Sequence, residues 1–220
     1  MTNPFSLLAN VASKIGAAAA VPPDTAIVTQ ERFITLTGIV IDSLEGGYYH
    51  PNMMHKFNAR SQAIMKASGE TMFGLDRLHG AQLAIYPEWK EFWNVIDKAS
   101  ASTMWKHEYR GGTLEPKLKR LVATIMYKWF MKLFSKYVTP AAQAAVAKDD
   151  RLIIHFSYAS WNGEGWFMRF ATVLNNAVKK TTDKEKLFVL SIEARTKNAN
   201  KTIAQQGNNM VAALKKLHLI

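Results

Sequence analysis

Residues 116–134 read PKLKRLVATIMYKWFMKLF. Apolar side chains recur in this segment with helical spacing and cover much of the circumference, so we expect a long helix at the centre of the fold. Pro116 suits the first turn of that helix, because a proline there loses no helical hydrogen bond. The segment therefore predicts a protein built mainly from helices.

The flanking segments repeat this helical pattern. Alternating strand patterns are scarce, and three glycines break residues 67–80 into a loop or a short hairpin near Phe73. We therefore predict an all-α fold, or an α fold with one small β-hairpin. Further helices are predicted over residues 31–44, 56–66, 152–161, 166–178, 184–197 and 203–217, and in the segments that begin at Pro87 and Pro140.

The N-terminal residues 1–23 differ from the rest of the chain. Apolar residues at roughly helical spacing lead into an alanine- and proline-rich stretch that ends at Pro23. The first basic residue, Lys14, lies inside the apolar part, which does not fit a secretory signal. We interpret residues 1–23 as an arm that packs on its own domain or docks onto a partner, and residues 24–220 as one domain.

Composition limits the chemistry. The chain has no cysteine, which excludes disulfides and cysteine-ligated metals, and no apolar run approaches the roughly 20 residues of a transmembrane helix. His50 and His55 lack the spacing of a zinc-binding helix, and His155 fits a hydrogen-bonded core histidine. We therefore expect neither a metal nor another cofactor.

The net charge of +11 suits binding to a polyanion. Zinc-finger and RRM signatures are missing, so nucleic-acid binding is an alternative supported by charge alone.

The first segment with chemical interest surrounds Glu45, which ends the helix predicted over residues 31–44 and is followed by Gly46 and Gly47. A carboxyl group there meets the negative end of the helix dipole, and flanking apolar residues remove water, so its protonated form is favoured. Such a glutamate can donate its proton to a glycosidic oxygen. The alternative is an ordinary solvated glutamate at a helix end.

The second segment, residues 68–77, carries Glu70, Thr71 and Asp76 as candidates to hold a water or to stabilise positive charge on a sugar. A turn stabilised around Asp76 and Arg77 is the alternative.

The third segment, residues 158–166, sets Trp161, Asn162 and Trp166 beside glycines. Aromatic faces stack on sugar rings, and an asparagine amide both donates and accepts hydrogen bonds. This pattern suits a carbohydrate groove, or core tryptophans at a corner between two helices.

In this order the three segments resemble the lysozyme-like superfamily, especially lytic transglycosylases and phage muramidases. Residues 45–48 are similar to the opening motif of some phage muramidases, and residues 71–75 to their Thr-x-x-Gly-Ile turn. Residues 74–76 resemble the Gly-Leu-Met-Gln turn of transglycosylases. Residues 160–163 are similar to the Ala-Tyr-Asn-x-Gly motif, with tryptophan in place of tyrosine.

The resemblance implies a helical domain with a substrate groove and an enzyme that cleaves peptidoglycan between N-acetylmuramic acid and N-acetylglucosamine. Glu45 would be the catalytic acid, assisted by Glu70, Thr71, Asp76 or no residue. Substrate contacts would come from Tyr48, Tyr49, Phe73, Gly74, Tyr158, Trp161, Asn162 and Trp166.

The whole sequence looks most like lysozyme-like virion proteins of tailed phages. That resemblance implies a tail or baseplate location, contact with tail or baseplate proteins through the arm, and action in the bacterial periplasm.

Two positions depart from the transglycosylase pattern. Gly46 stands where those enzymes usually have serine, and Asp76 where they have glutamine. The choice between hydrolysis and the reaction that forms anhydro ends therefore stays open, with a lysozyme-type description preferred. A non-catalytic structural or wall-binding protein that keeps the fold is the alternative function.

Overall fold

The computed structural model describes residues 28–44, 48–49, 59, 62–63, 69–78, 82–99 and 113–220. The arm predicted over residues 1–23 and the predicted acid Glu45 lie outside these ranges. The chain divides into a first unit, Met1–Leu44 with Phe130–Ile220, and a second unit, Glu45–Trp129.

The described residues form eight helices and three short strands, which confirms the predicted α fold with a small β element. Residues 59, 62 and 63 are helical, in the segment predicted as a helix over residues 56–66. No described helix is both long and apolar enough to span a bilayer. The elements in chain order are α1 (Gln30–Leu44), β1 (Tyr48–Tyr49), β2 (Thr71–Met72), β3 (Leu75–Asp76), α2 (Pro87–Lys98), α3 (Glu115–Tyr137), α4 (Pro140–Ala147), α5 (Asp150–Trp161), α6 (Glu164–Ala177), α7 (Lys184–Thr196) and α8 (Lys201–Lys216).

Local sequence explains where most helices begin. Pro87 and Pro140 occupy the first turns of α2 and α4, where a missing N–H group costs no hydrogen bond. The side chains of Asp149, Asp183 and Asn200 accept hydrogen bonds from backbone N–H groups in the first turns of α5, α7 and α8. These caps set the beginnings of the three helices. Helix α7 begins at the predicted residue 184, whereas α5 and α8 begin at residues 150 and 201, two residues before the predicted positions.

The first unit is a helical bundle with an aromatic core. Phe130 on α3 stacks on Phe134 with a centroid distance of 4.8 Å, and it also contacts Phe33 on α1 and Phe167 on α6. Helix α5 is buried over residues 152–160, so it is the central helix of this unit. Helix α3, predicted as the central element, supplies residues to both units.

Helices α1 and α5 are joined where they begin. The Nε and Nη2 atoms of Arg32 on α1 donate to Oδ1 of Asp150 on α5, at 2.9 and 2.6 Å, and Nη1 donates to the carbonyl of Ala147. The two helices also pack against each other. Because their first turns meet and their sides are in contact, they run in the same general direction, α1 to Leu44 and α5 to Trp161.

The second unit contains a three-stranded antiparallel sheet in the order β1-β2-β3. Strands β2 and β3 form the short hairpin predicted near Phe73, and β1 adds a third strand at its edge. Phe73 and Gly74 form the turn with φ angles of 52° and 75°. Positive φ at both central residues is the type I′ geometry, whose twist suits a two-residue hairpin. Burial of Phe73 holds this uncommon aromatic conformation in place.

Candidate functional site

The hairpin brings two of the predicted polar residues together. Thr71 pairs directly with Asp76 across β2 and β3, and the backbone of Tyr49 in β1 pairs with Thr71 on the other side. Met72 and Leu75 are buried, and side chains alternate between the faces of a strand, so Thr71 and Asp76 share the opposite, half-exposed face. A hydroxyl and a carboxyl group on directly paired residues can act on the same water or sugar.

Glu70, the third predicted candidate, is held in an ion pair. Its carboxylate lies 2.9 Å from Nη2 of Arg77, which also lies 2.6 Å from a carboxylate oxygen of Asp97 on α2. The guanidinium group of Arg77 stacks over the ring of Trp93 at 4.4 Å. Glu70 therefore helps to tie the hairpin to α2.

The predicted carbohydrate corner lies where α5 ends and α6 begins, in the first unit. Trp161 is the last residue of α5, Asn162 is its C-cap, and Gly163 has a φ of 105° before α6 begins. The chain turns at this glycine because residues with a side chain rarely adopt such a φ. Trp161 and Asn162 are half-buried, so each has surface that a ligand can reach.

The other predicted contact residues differ in exposure. Trp166 on α6 is half-buried and stacks on Phe170, and the guanidinium carbon of Arg169 lies 4.8 Å from the centroid of the Trp166 ring. Tyr158 is only 4% exposed, and Phe73 in the second unit is 2% exposed. Their rings support the surrounding structure and leave little area for a substrate, whereas Gly74 beside Phe73 is half-buried.

A buried arginine that was not among the predicted site residues supports the corner. Arg195 on α7 is fully buried, and its Nη1 donates to Oδ1 of Asn162 at 2.9 Å. The guanidinium carbon lies 4.8 Å from the ring centroid of Tyr158 and 4.7 Å from that of Phe170. Burial lowers the pKa of Arg195 to about 10. Helical spacing could have indicated from the sequence that Arg195 is buried, because Phe188, Ile192 and Arg195 lie on one buried face of α7.

His155 on α5 is also fully buried, which agrees with its predicted place in the core. The predicted hydrogen bonds are not found, because neither ring nitrogen has a partner among the described residues. Its ring packs edge-on against Phe156 and Phe170. Burial, with a smaller contribution from the charge of Arg195, lowers the pKa of His155 well below its ordinary value.

The predicted site residues thus belong to two sets. Thr71 and Asp76, with Glu70 beside them, lie in the second unit, and the corner around Asn162 lies in the first. For Tyr48 and Tyr49 the structure describes the strand alone. Within the described ranges, no three histidine or acidic side chains come close enough together to hold a metal ion. Comparison of the chain with protein-family models, curated proteins and solved structures finds no match.

Proposed function

We propose that the chain is a peptidoglycan glycosidase that cleaves between N-acetylmuramic acid and N-acetylglucosamine, of the lysozyme or lytic transglycosylase type. Glu45, which follows α1 in the sequence, is the proposed general acid. Trp161 and Asn162 at the end of α5 are the proposed sugar contacts. In this scheme the acid protonates the glycosidic oxygen as the bond to the leaving sugar breaks.

The observation that carries the proposal is the junction between Arg32 and Asp150. From that junction α1 rises about 18 Å to Leu44 and α5 about 17 Å to Trp161, at 1.5 Å per residue. The two helices run in the same general direction, so Leu44 and Trp161 end them at the same end of the first unit. The proposed sugar-binding corner therefore lies at the end of the first unit at which α1 ends, and Glu45 is the next residue in the sequence after Leu44.

The ion pairs of the second unit narrow the choice of assisting group. The carboxylate of Glu70 is engaged by Arg77, which makes it a weaker candidate for a base or nucleophile. Thr71 and Asp76 share one half-exposed face of the hairpin. We propose Asp76 as the base that assists hydrolysis, with Thr71 orienting the water, because these two residues pair directly across β2 and β3.

The proposed setting is a tailed-phage virion that opens the cell wall from the periplasm. The net charge of +11 favours contact with the anionic bacterial wall. Residues 1–23 would attach the domain to tail or baseplate proteins.

Digestion of purified peptidoglycan tests the proposal. Glu45→Gln is expected to lower the release of soluble muropeptides by about 10²–10⁴-fold, the usual loss when a general acid is removed. Asp42→Asn is the matched control, because it removes a carboxylate on an exposed residue of the last turn of α1. An active Glu45→Gln protein would rule out the proposed acid.

Mass spectrometry of the same digests identifies the reaction. Reducing ends on the products indicate hydrolysis, whereas anhydro ends indicate the transglycosylase route, which needs no second carboxylate. Sedimentation with peptidoglycan without release of soluble sugar would instead support the non-catalytic wall-binding alternative.

A further inference from the structure

The buried guanidinium of Arg195 requires an explanation. It is fully buried, and its Nε and Nη2 atoms have no hydrogen-bond partner within the part of the chain that the structure describes. Buried cations in proteins are normally paired with carboxylates, because burial removes their hydration. Here the contacts with two aromatic rings and one hydrogen bond to Asn162 replace that hydration only in part.

We infer that Arg195 is a positioning residue that fixes the side-chain amide of Asn162 as a hydrogen-bond donor toward the acetamido carbonyl of an N-acetylated sugar. The inference rests on the proposed function, because it assigns the recognised group at the sugar-binding corner.

Three helices hold the guanidinium in this position. The rings of Tyr158 on α5 and Phe170 on α6 contact it at 4.8 and 4.7 Å. Gly207 on α8 faces the stem of Arg195, and a Cβ atom at position 207 would lie 2.9 Å from Cγ of Arg195. Glycine in the middle of a helix is unfavourable, so its presence here fits the need for room beside the arginine. The side chain is therefore held by packing as well as by its hydrogen bond.

This arrangement determines which way the amide points. A guanidinium group only donates hydrogen bonds, so the atom of Asn162 that faces Nη1 at 2.9 Å must be the oxygen. Both N–H bonds of Nδ2 are then left as donors for other acceptors. The positive charge next to Oδ1 polarises the amide and strengthens those donors.

Because Asn162 presents hydrogen-bond donors, it favours a ligand with a hydrogen-bond acceptor. An acetamido group offers a carbonyl oxygen that accepts from Nδ2. A sugar without its acetyl group carries an ammonium, which has only hydrogens to donate and is repelled by the nearby guanidinium. The corner should therefore distinguish N-acetylated from de-N-acetylated glycan.

The test compares N-acetylated peptidoglycan with the same material after chemical de-N-acetylation, measured both by sedimentation binding and by muropeptide release. Wild type is expected to prefer the acetylated glycan by about tenfold or more, the factor that corresponds to one hydrogen bond to a polar group. Arg195→Met, which removes the donors but keeps a long stem, should lose most of that preference. Arg195→Lys keeps a charge and a donor and should recover part of it.

Asn162→Asp separates positioning from a merely structural role. An aspartate would form an ion pair with Arg195 and raise the melting temperature, but it has no N–H bond to offer the sugar. We expect a protein that is at least as stable as wild type and has lost the preference for acetylated glycan. Leu214→Ala, in the buried face of α8, should lower the melting temperature and leave the preference intact.

The outcomes separate this inference from the proposed function. If wild type binds acetylated glycan selectively and the variants behave as expected, but no muropeptides are released, the glycosidase proposal fails and the inference stands. If muropeptides are released but wild type does not discriminate, or Arg195→Met and Asn162→Asp keep the discrimination, the inference is overturned and the glycosidase proposal remains.

Discussion

Arg32 binds one carboxylate oxygen of Asp150 through two nitrogens, Nε at 2.9 Å and Nη2 at 2.6 Å. Its third nitrogen, Nη1, donates to the carbonyl of Ala147 at the end of α4. One side chain thus joins the beginning of α1 to two successive helices and holds α1 against α5 within the bundle.

Loss of this arginine should destabilise the first unit. We expect Arg32→Met to lower the free energy of unfolding by about 1 kcal/mol, since the pair is partly exposed and screened by solvent. Urea denaturation would measure the change. The control is Lys197→Met, which breaks a more exposed pair with Glu193 and should change stability by much less. Equal effects of the two changes would contradict the proposed role of Arg32.

Burial of His155 should make stability depend on pH. The pKa of His155 is lowered in the folded protein, so below about pH 6.5 the unfolded chain takes up a proton that the folded chain does not. Stability is therefore fully present above about pH 6.5 and falls as the pH drops, by up to about 1.4 kcal/mol per pH unit from this group.

Thermal or urea denaturation between about pH 5 and 7.5, the range around the ordinary pKa of histidine, would measure this dependence. His155→Phe should flatten the curve in that range, because it removes the group that titrates only on unfolding. Leu214→Ala is the control, since it lowers stability by removing a buried side chain that does not titrate and should leave the slope unchanged. A slope that persists in His155→Phe would show that another group is responsible.

The hairpin carboxylates should differ in their effect on activity. If Asp76 assists hydrolysis, Asp76→Asn should lower muropeptide release by about 10²-fold or more, as removal of a general base does. Glu70→Gln should change activity only a few-fold, because it weakens an ion pair with Arg77. Initial rates on purified peptidoglycan, with circular dichroism to check folding, would compare them. A larger loss in Glu70→Gln than in Asp76→Asn would reverse the assignment.

The two glycines around the start of α6 should respond oppositely to alanine. Gly163 has a φ of 105° and a ψ of 156°, a region that residues with side chains avoid, so Gly163→Ala should cost about 1–3 kcal/mol. Gly165 lies within α6 and has open space where the methyl group of an alanine would lie, so Gly165→Ala should stabilise by about 0.5–1 kcal/mol. Differential scanning calorimetry would detect the opposite shifts in melting temperature.

The beginnings and breaks of helices could be predicted from the sequence, whereas ion pairs and hydrogen bonds between distant residues could not. The helix starts at Pro87 and Pro140 follow from chemistry within a few residues, and so does the break at Gly163. Which charge pairs with which depends on packing between distant segments. The bonds from Arg77 to Asp97 and from Arg195 to Asn162 had no local pattern that could reveal them.

For the candidate site, too, positions on the elements were predictable from the sequence, but the roles of the residues were not. The hairpin and the corner could be placed on elements, because each was marked by glycines. The roles of the polar groups could not be separated, since the engagement of Glu70 by Arg77 becomes visible only when the hairpin lies next to α2.

The turn at Phe73 and Gly74 has a consequence for the stage of folding at which the hairpin forms. An isolated hairpin of this type favours Asn-Gly, and an aromatic residue with a φ of 52° is unfavourable on its own. Burial of the Phe73 ring offsets the cost of this backbone conformation. We therefore expect the hairpin to be unstable on its own, so that Thr71 and Asp76 come into register only as the surrounding hydrophobic core forms. Formation of the hairpin and completion of that core should then be one cooperative event.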